Sequence, residues 1–81
     1  MTEAELKTAF LETLVRIAPD LDPDEVAGSD RLQDDLELDS MDVLNLVAAL
    51  HARFGIDIPE AEYVRIETPD KAAAYLSERL G

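Results

Sequence analysis

With 81 residues the chain has room for one domain and a modest core, because a chain this short buries only about 60–70% of its unfolded surface. Its 19 acids against 7 bases give a formal charge of -12 and a pI near 4.1, which disfavours nucleic acid and anionic membranes and favours partners with basic surfaces. Cysteine is absent, which excludes a disulfide framework, a thiolate metal site and any thiol of the chain's own.

At 47% hydrophobic residues the chain is too apolar for an acidic disordered tail, and a folded domain spanning 1–81 is expected. The N-terminus carries no basic stretch followed by an apolar one. The longest apolar run, Leu-Val-Ala-Ala-Leu at 46–50, is far too short to cross a membrane, so a cytoplasmic location is expected.

Helix one is predicted from Glu3 to Ala18, with Leu6, Phe10, Leu14 and Ile17 on one face and Leu11 and Val15 widening it. Thr2 is the expected N-cap, Glu3 and Glu5 suit the positive end of the helix dipole, and Pro19 forbids continuation. From Pro19 to Asp39 no long periodic segment is visible. So long a loop needs anchors, and Leu21, Val26, Leu32, Leu36 and Leu38 are spaced to provide them. Asp22-Pro23 and Gly28-Ser29 are turn signals, and a short helical turn is expected over Asp24 to Ala27. Asp20, Asp22 and Asp24 have the spacing that opens a calcium loop. Pro23 intrudes there, Glu25 replaces the required glycine and Arg31 stands where a bidentate glutamate belongs, so no metal site is predicted.

Helix two is predicted from Ser40 to Phe54. Val43, Leu46, Val47, Leu50 and Phe54 form its core stripe, and Gly55 and Pro59 end it. Asp39 and Asp42 have the spacing of a capping box with an acid at both ends, which leaves the Ser40 hydroxyl uncommitted in the first turn. At about 100° per residue, Met41, Leu44 and Ala48 share a second face beside Ser40, suited to docking a partner. The alternative is that helix two is central and contacts neighbours on both sides. His51 lies roughly 16 Å along the helix from Ser40, too far to act as its base, and reads as a surface histidine. A short helical turn follows from Glu60 to Arg65, with Tyr63 and Ile66 available for the core. In the last helix Thr68 caps, Pro69 takes the first position, and Ala72, Ala73, Tyr75, Leu76 and Leu80 form the apolar face before Gly81.

The combination of Asp35-Leu36, Asp39-Ser40 and Leu46 with Phe54-Gly55-Ile56 and Ile58-Pro59, in a small acidic chain without cysteine, resembles the acyl carrier protein family over nearly all 81 residues. Two positions depart from it: Glu37 stands where the family usually has glycine, and Met41 where leucine is commonest. The resemblance implies an all-α fold, a small four-helix bundle with three longer helices, one short helix and a long first loop. It implies that a phosphopantetheinyl transferase, using coenzyme A and Mg²⁺, attaches 4′-phosphopantetheine to Ser40. The arm's thiol would hold acyl groups as thioesters for fatty-acid, polyketide or related biosynthesis. Asp39 would be both cap and candidate contact for the transferase and its Mg²⁺. Met41, Asp42, Leu44, Asn45 and Ala48 would meet acyl-loading, condensing and acyl-transfer enzymes through their basic patches. Leu36, Val43, Leu46, Val47, Ile58 and Ile66 would line a shelter for the acyl chain, unless they are simply core. With one histidine and no catalytic constellation, the chain reads as a monomeric carrier, not an enzyme. A peptidyl or aminoacyl carrier is the nearest alternative, opposed by the acids from Asp35 to Asp39. An unmodified acidic helical interaction module is the other.

Overall fold

The chain forms α1 (Glu3–Ile17), α2 (Ser40–Phe54), a 3-10 segment (Glu60–Ile66) and α3 (Pro69–Leu80), in the order expected of the four-helix bundle. This is the arrangement in a computed structural model that describes residues 1–80; the expected stop at Gly81 lies outside them. Each α-helix starts on a side-chain cap, because the first N–H groups of a helix have no acceptor within it. At α1 the Thr2 hydroxyl accepts from the Glu5 N–H (3.1 Å), and the Glu5 carboxylate accepts from the Thr2 N–H (2.8 Å). The bond from the Thr2 backbone N–H, with the Thr2 hydroxyl adding to it, holds the Glu5 carboxyl below its usual range. At α3 the Thr68 hydroxyl accepts from the Lys71 N–H (3.1 Å), and Pro69 occupies the first turn, where a missing N–H costs nothing. Gly55 ends α2 in the left-handed region (φ 69°), its N–H donating to the His51 carbonyl at 2.7 Å.

Helix α1 is the centre of the bundle. It packs most extensively on α3 and less on α2, and the 3-10 segment rests on α3. No Cα of α2 comes within 8 Å of α3 or of the 3-10 segment, so α2 is not a central helix with neighbours on both sides. The space between is filled by side chains. Leu6, Phe10 and Leu14 meet Leu46 and Leu50 from α2 and Tyr75 and Leu76 from α3, all buried. Ala9 and Thr13, outside the predicted stripe, are buried too; the Thr13 hydroxyl donates to the Ala9 carbonyl (2.8 Å), which removes the penalty for burying it. Leu80, expected on the apolar face, is exposed in the last turn of α3 and does not join the core.

In the first loop Leu32 and Leu38 are buried, Leu21 and Leu36 pack on the core from partly buried positions, and Val26 is half-buried. No helical turn forms over 24–27. The chain turns one step earlier, with the Glu25 N–H donating to the Asp22 carbonyl (2.9 Å) and the Asp24 N–H to the Asp22 carboxylate (2.9 Å). Pro23 favours this tight turn by fixing its own φ, and the aspartate side chain competes with helix formation for the same N–H.

Candidate functional site

Ser40 is the first residue of α2, and its position is set from both directions along the chain. After it, the Asp39 carboxylate accepts from the Asp42 N–H (2.8 Å), and the Asp42 carboxylate accepts from the Asp39 N–H (3.3 Å), so the predicted capping box is formed. Before it, the loop folds upon itself. The Arg31 carbonyl accepts from Asp35 (2.9 Å) and Leu36 (3.0 Å), the Asp35 carboxylate accepts from the Arg31 N–H (2.8 Å), and the Leu38 N–H donates to the Leu32 carbonyl (2.9 Å). Buried Leu38, two residues before Ser40, ties this knot to the core. Glu37 takes a left-handed conformation (φ 62°) to let the chain leave the knot, at the position flagged as a departure from glycine.

Two long-range backbone bonds pin the loop to the junction between the 3-10 segment and α3. The Leu32 N–H donates to the Glu67 carbonyl (2.9 Å), and the Gly28 carbonyl accepts from the Asp70 N–H (3.0 Å). A Cβ at Gly28 would lie 2.3 Å from the Asp70 carboxylate, so a larger residue there would have to displace that side chain from its ion pair with Lys7 of α1 at 2.9 Å. Beside the first, an ion pair to Lys71 holds the Glu67 carboxyl below its usual range, with Arg31 adding to the effect.

The result is a groove of about 480 Å³ running from Ser40 between the start of α2, the turn at 31–34 and the 3-10 segment. Ser40 is exposed at its edge, and among the described residues its hydroxyl has no hydrogen-bond partner. The N–H groups of Ser40 and Met41 lie in the first turn, where the helix supplies no acceptor. A second groove of about 410 Å³ runs along the later part of α2, lined by Val47, Ala48, His51, Ile56 and Ile58, and Leu44 borders both.

The expected docking residues come together on the open face. Met41 is 64% and Leu44 49% exposed, Asn45 and Ala48 are exposed, and Asp42 is half-buried beneath its cap. Val64, 59% exposed, borders the same groove on the 3-10 segment and was missed. With three residues per turn, Tyr63 and Ile66 share one face and Val64 falls off it, which is the signal that could have found it.

The six residues expected to shelter an acyl chain do not line one cavity. Val43 and Ile66 border the groove at Ser40, Val47 and Ile58 the second groove, while Leu46 is in the sealed core and Leu36 packs against it. Val43 is therefore a groove residue and not part of the core stripe. The bundle leaves α2 without a close neighbour there, so the stripe is covered only where α1 passes. His51 is on the surface as expected, its Nδ1 lying 3.2 Å from the Ile56 carbonyl and 3.0 Å from the Asp57 carboxylate. Among the described residues no group of three or more histidines and acids is placed to hold a metal ion.

An exposed, uncommitted hydroxyl beside free N–H groups and the positive end of a helix dipole can accept and orient a phosphodiester, opposed by the nearby carboxylates, those of Asp39 and Asp42 first. The residues present thus fit a phosphate-linked arm. The family model described as a phosphopantetheine attachment site matches residues 8–76, and fold and site together define a phosphopantetheine-bearing carrier domain. Acyl carrier proteins are among its relatives. That of Streptomyces coelicolor is 36% identical over 78 residues, 96% of this chain and 85% of the relative. That of Petrotoga mobilis is 35% identical over 80 residues, 99% and 93% of the two. A non-reducing polyketide synthase of Preussia isomera is 36% identical over 59 residues, 73% of this chain and 2% of that protein. The chain belongs to the acyl carrier protein family, whose members bear phosphopantetheine and carry acyl groups to biosynthetic enzymes.

Proposed function

We propose that Ser40 is the attachment point for 4′-phosphopantetheine and that residues 1–81 act as one monomeric carrier unit in the cytoplasm, with no catalytic activity of its own. The observation that carries this reading is the uncommitted Ser40 hydroxyl, exposed in the first turn of α2 at the edge of a groove. When bound, the arm supplies the thiol that this cysteine-free chain lacks, and holds acyl groups as thioesters. The chain's own part is to hold the serine rigidly and in the open. Asp39 fixes the helix start, Leu38 fixes the approach, and the free carboxylate oxygen of Asp39 remains for the phosphopantetheinyl transferase and its Mg²⁺. Met41, Asp42, Leu44, Asn45 and Ala48 then form the surface met by the transferase and by acyl-loading, condensing and acyl-transfer enzymes. Basic patches on those enzymes are matched by the net charge of -12, and apolar side chains by Met41 and Leu44.

Intact mass tests the attachment. Treated with coenzyme A, Mg²⁺ and a broad-specificity transferase, the chain should gain one phosphopantetheine, and Ser40→Ala should fold as before and gain none. Ser29 and Ser77 are the other serines, and modification of the alanine variant would show that one of them is the site.

A further inference from the structure

Resting on Ser40 as attachment point, the backbone and side chain of Glu37 indicate how an enzyme recognises that serine. Glu37 is exposed and stands in the left-handed region (φ 62°), where a residue with a Cβ is strained. No bond of its side chain inside the molecule offsets that strain. The other acids around Ser40 are engaged: Asp34 pairs with Arg31 (3.5 Å), Asp35 accepts from the Arg31 N–H (2.8 Å), and Asp39 and Asp42 each accept from the other's N–H (2.8 and 3.3 Å). Among the described residues Glu37 alone of these five has neither a hydrogen bond nor an ion pair for its carboxylate. Arg31, the one lysine or arginine between Arg16 and Arg53, is already taken.

That carboxylate is within the footprint of an enzyme acting on Ser40. Three residues of chain span at most about 11 Å, whereas even a small transient interface covers about 600 Å² of each partner and reaches roughly 14 Å from its centre. An enzyme with its reacting centre over the Ser40 hydroxyl therefore takes water from Glu37 as well. A carboxylate stripped of water without a partner is unfavourable, and one met by a cationic side chain forms a charge-assisted hydrogen bond. The neighbouring acids meet this need with bonds of their own, and Glu37 is left to be satisfied from outside.

We propose that Glu37 is a specificity-determining residue for the modification of Ser40, its carboxylate being met by an arginine or lysine of the phosphopantetheinyl transferase. The strained backbone then holds an unneutralised charge beside the attachment point.

The test follows arm attachment by a broad-specificity transferase with coenzyme A and Mg²⁺, the unmodified chain being the varied substrate, at low and at high NaCl. Glu37→Gln should raise KM several-fold with kcat unchanged, Glu37→Lys should raise it further, and high salt should shrink both differences. Glu25→Gln removes the same charge from another exposed glutamate without a partner among the described residues, in the turn after Asp22, and should match the wild type. Glu37→Gly should raise KM as Glu37→Gln does while melting no lower than the wild type, a split that a merely structural role would not give. A wild-type or lower KM for Glu37→Gln or Glu37→Lys overturns the proposal. So do equal losses in Glu37→Gln and Glu25→Gln, which would mean that net charge alone is read, or a loss confined to kcat. A wild-type chain that never gains the arm on Ser40 overturns the attachment reading itself and this proposal with it, so the two failures are distinguishable.

Discussion

Between α1 and α3 the molecule is closed. Leu6, Phe10, Leu14, Tyr75 and Leu76 meet with almost no exposed surface, and Lys7 bonds Asp70 across the seam at 2.9 Å. Between α2 and the 3-10 segment it is open: no Cα pair approaches within 8 Å, a groove takes the place of a seam, and Leu44 and Val64 face solvent beside it. Helix α2 is held from one side only, by Leu46 and Leu50 in the core and by Arg53, whose guanidinium donates to the Ala9 carbonyl (3.2 Å), the Thr13 hydroxyl (3.3 Å) and the Glu12 carboxylate (3.0 Å). The closed seam supports the fold, and the rest of the circumference of α2 is left exposed, on the side where the proposed function places the tethered group and its enzymes.

Substitution on the two sides should differ most in Phe10→Ala and Leu44→Arg. Phe10 is fully buried, and truncating it removes its burial and leaves a cavity, a loss of about 3–5 kcal/mol. At about 4–8 °C per kcal/mol for a domain of this size, that lowers the melting temperature by tens of degrees or unfolds the chain outright. Leu44→Arg changes a side chain already 49% exposed and should alter stability by no more than about 0.5 kcal/mol. Acyl transfer with the cognate enzymes should nevertheless fall sharply, because the variant places a charge in the apolar contact. Calorimetry and steady-state transfer read the two effects. Native transfer rates with Leu44→Arg would sink the assignment of the open side to docking.

The 3-10 segment has a closed side of its own, against α3, centred on Tyr75. The Tyr75 hydroxyl donates to the Glu62 carboxylate, Arg79 approaches it at 3.4 Å, and the Arg65 guanidinium stacks 4.7 Å above the ring while pairing with Glu78. Burial first, and then the bond to the Glu62 carboxylate, raise the Tyr75 hydroxyl above its ordinary value of 10.0, although Arg79 and Arg65 pull the other way. A raised value means that the folded state favours the neutral phenol. That contribution is complete below pH 10 and is lost as pH rises through the folded-state value. Tyr75→Phe should therefore cost about 1–1.5 kcal/mol at neutral pH, and its melting temperature should fall less steeply than the wild type's above pH 10. Parallel alkaline limbs for the two proteins would show that the clamp does not depend on the phenol proton.

Local features were legible in the sequence and distant ones were not. The N-cap at Thr2, the capping box at Asp39, the proline start of α3 and the stop at Gly55 are decided within a few residues, and all are found as read. The loop anchors Leu32 and Leu38 were legible because a long loop must bury something. The bonds that fix the loop were hidden, since Leu32 to the Glu67 carbonyl and Asp70 to the Gly28 carbonyl join main-chain groups that carry no side-chain signature. The reach of Arg53 to Ala9 and Thr13 was equally hidden, as it depends on the angle at which α2 crosses α1. Val43 shows the same limit in the site itself. Periodicity placed it correctly on a face of α2, but only the arrangement of the other elements decides that this part of the face borders a groove.

The smallest effects should come from the two left-handed residues at opposite ends of α2, and they should have opposite signs. Gly55 (φ 69°) closes the helix, and nothing lies within 4 Å of where its Cβ would be, so Gly55→Ala meets no clash and suffers only the backbone strain of an L-residue at positive φ. A destabilisation of about 1 kcal/mol is expected. Glu37 (φ 62°) already bears that strain on the approach to Ser40, with no glycine to relieve it. Glu37→Gly removes the strain and one negative charge from a loop crowded with acids, while the freer unfolded chain offsets part of the gain. The net should be a stabilisation of up to about 1 kcal/mol, measurable as a rise of a few degrees in melting temperature. Glu37→Asn, which tolerates the left-handed region better than glutamate without the entropy of glycine, should be stabilising as well. Should both Glu37 variants melt below the wild type, the glutamate side chain must be making a contribution that outweighs its strain. The departure from glycine would then be a gain in stability at the start of the functional helix and not a burden on it.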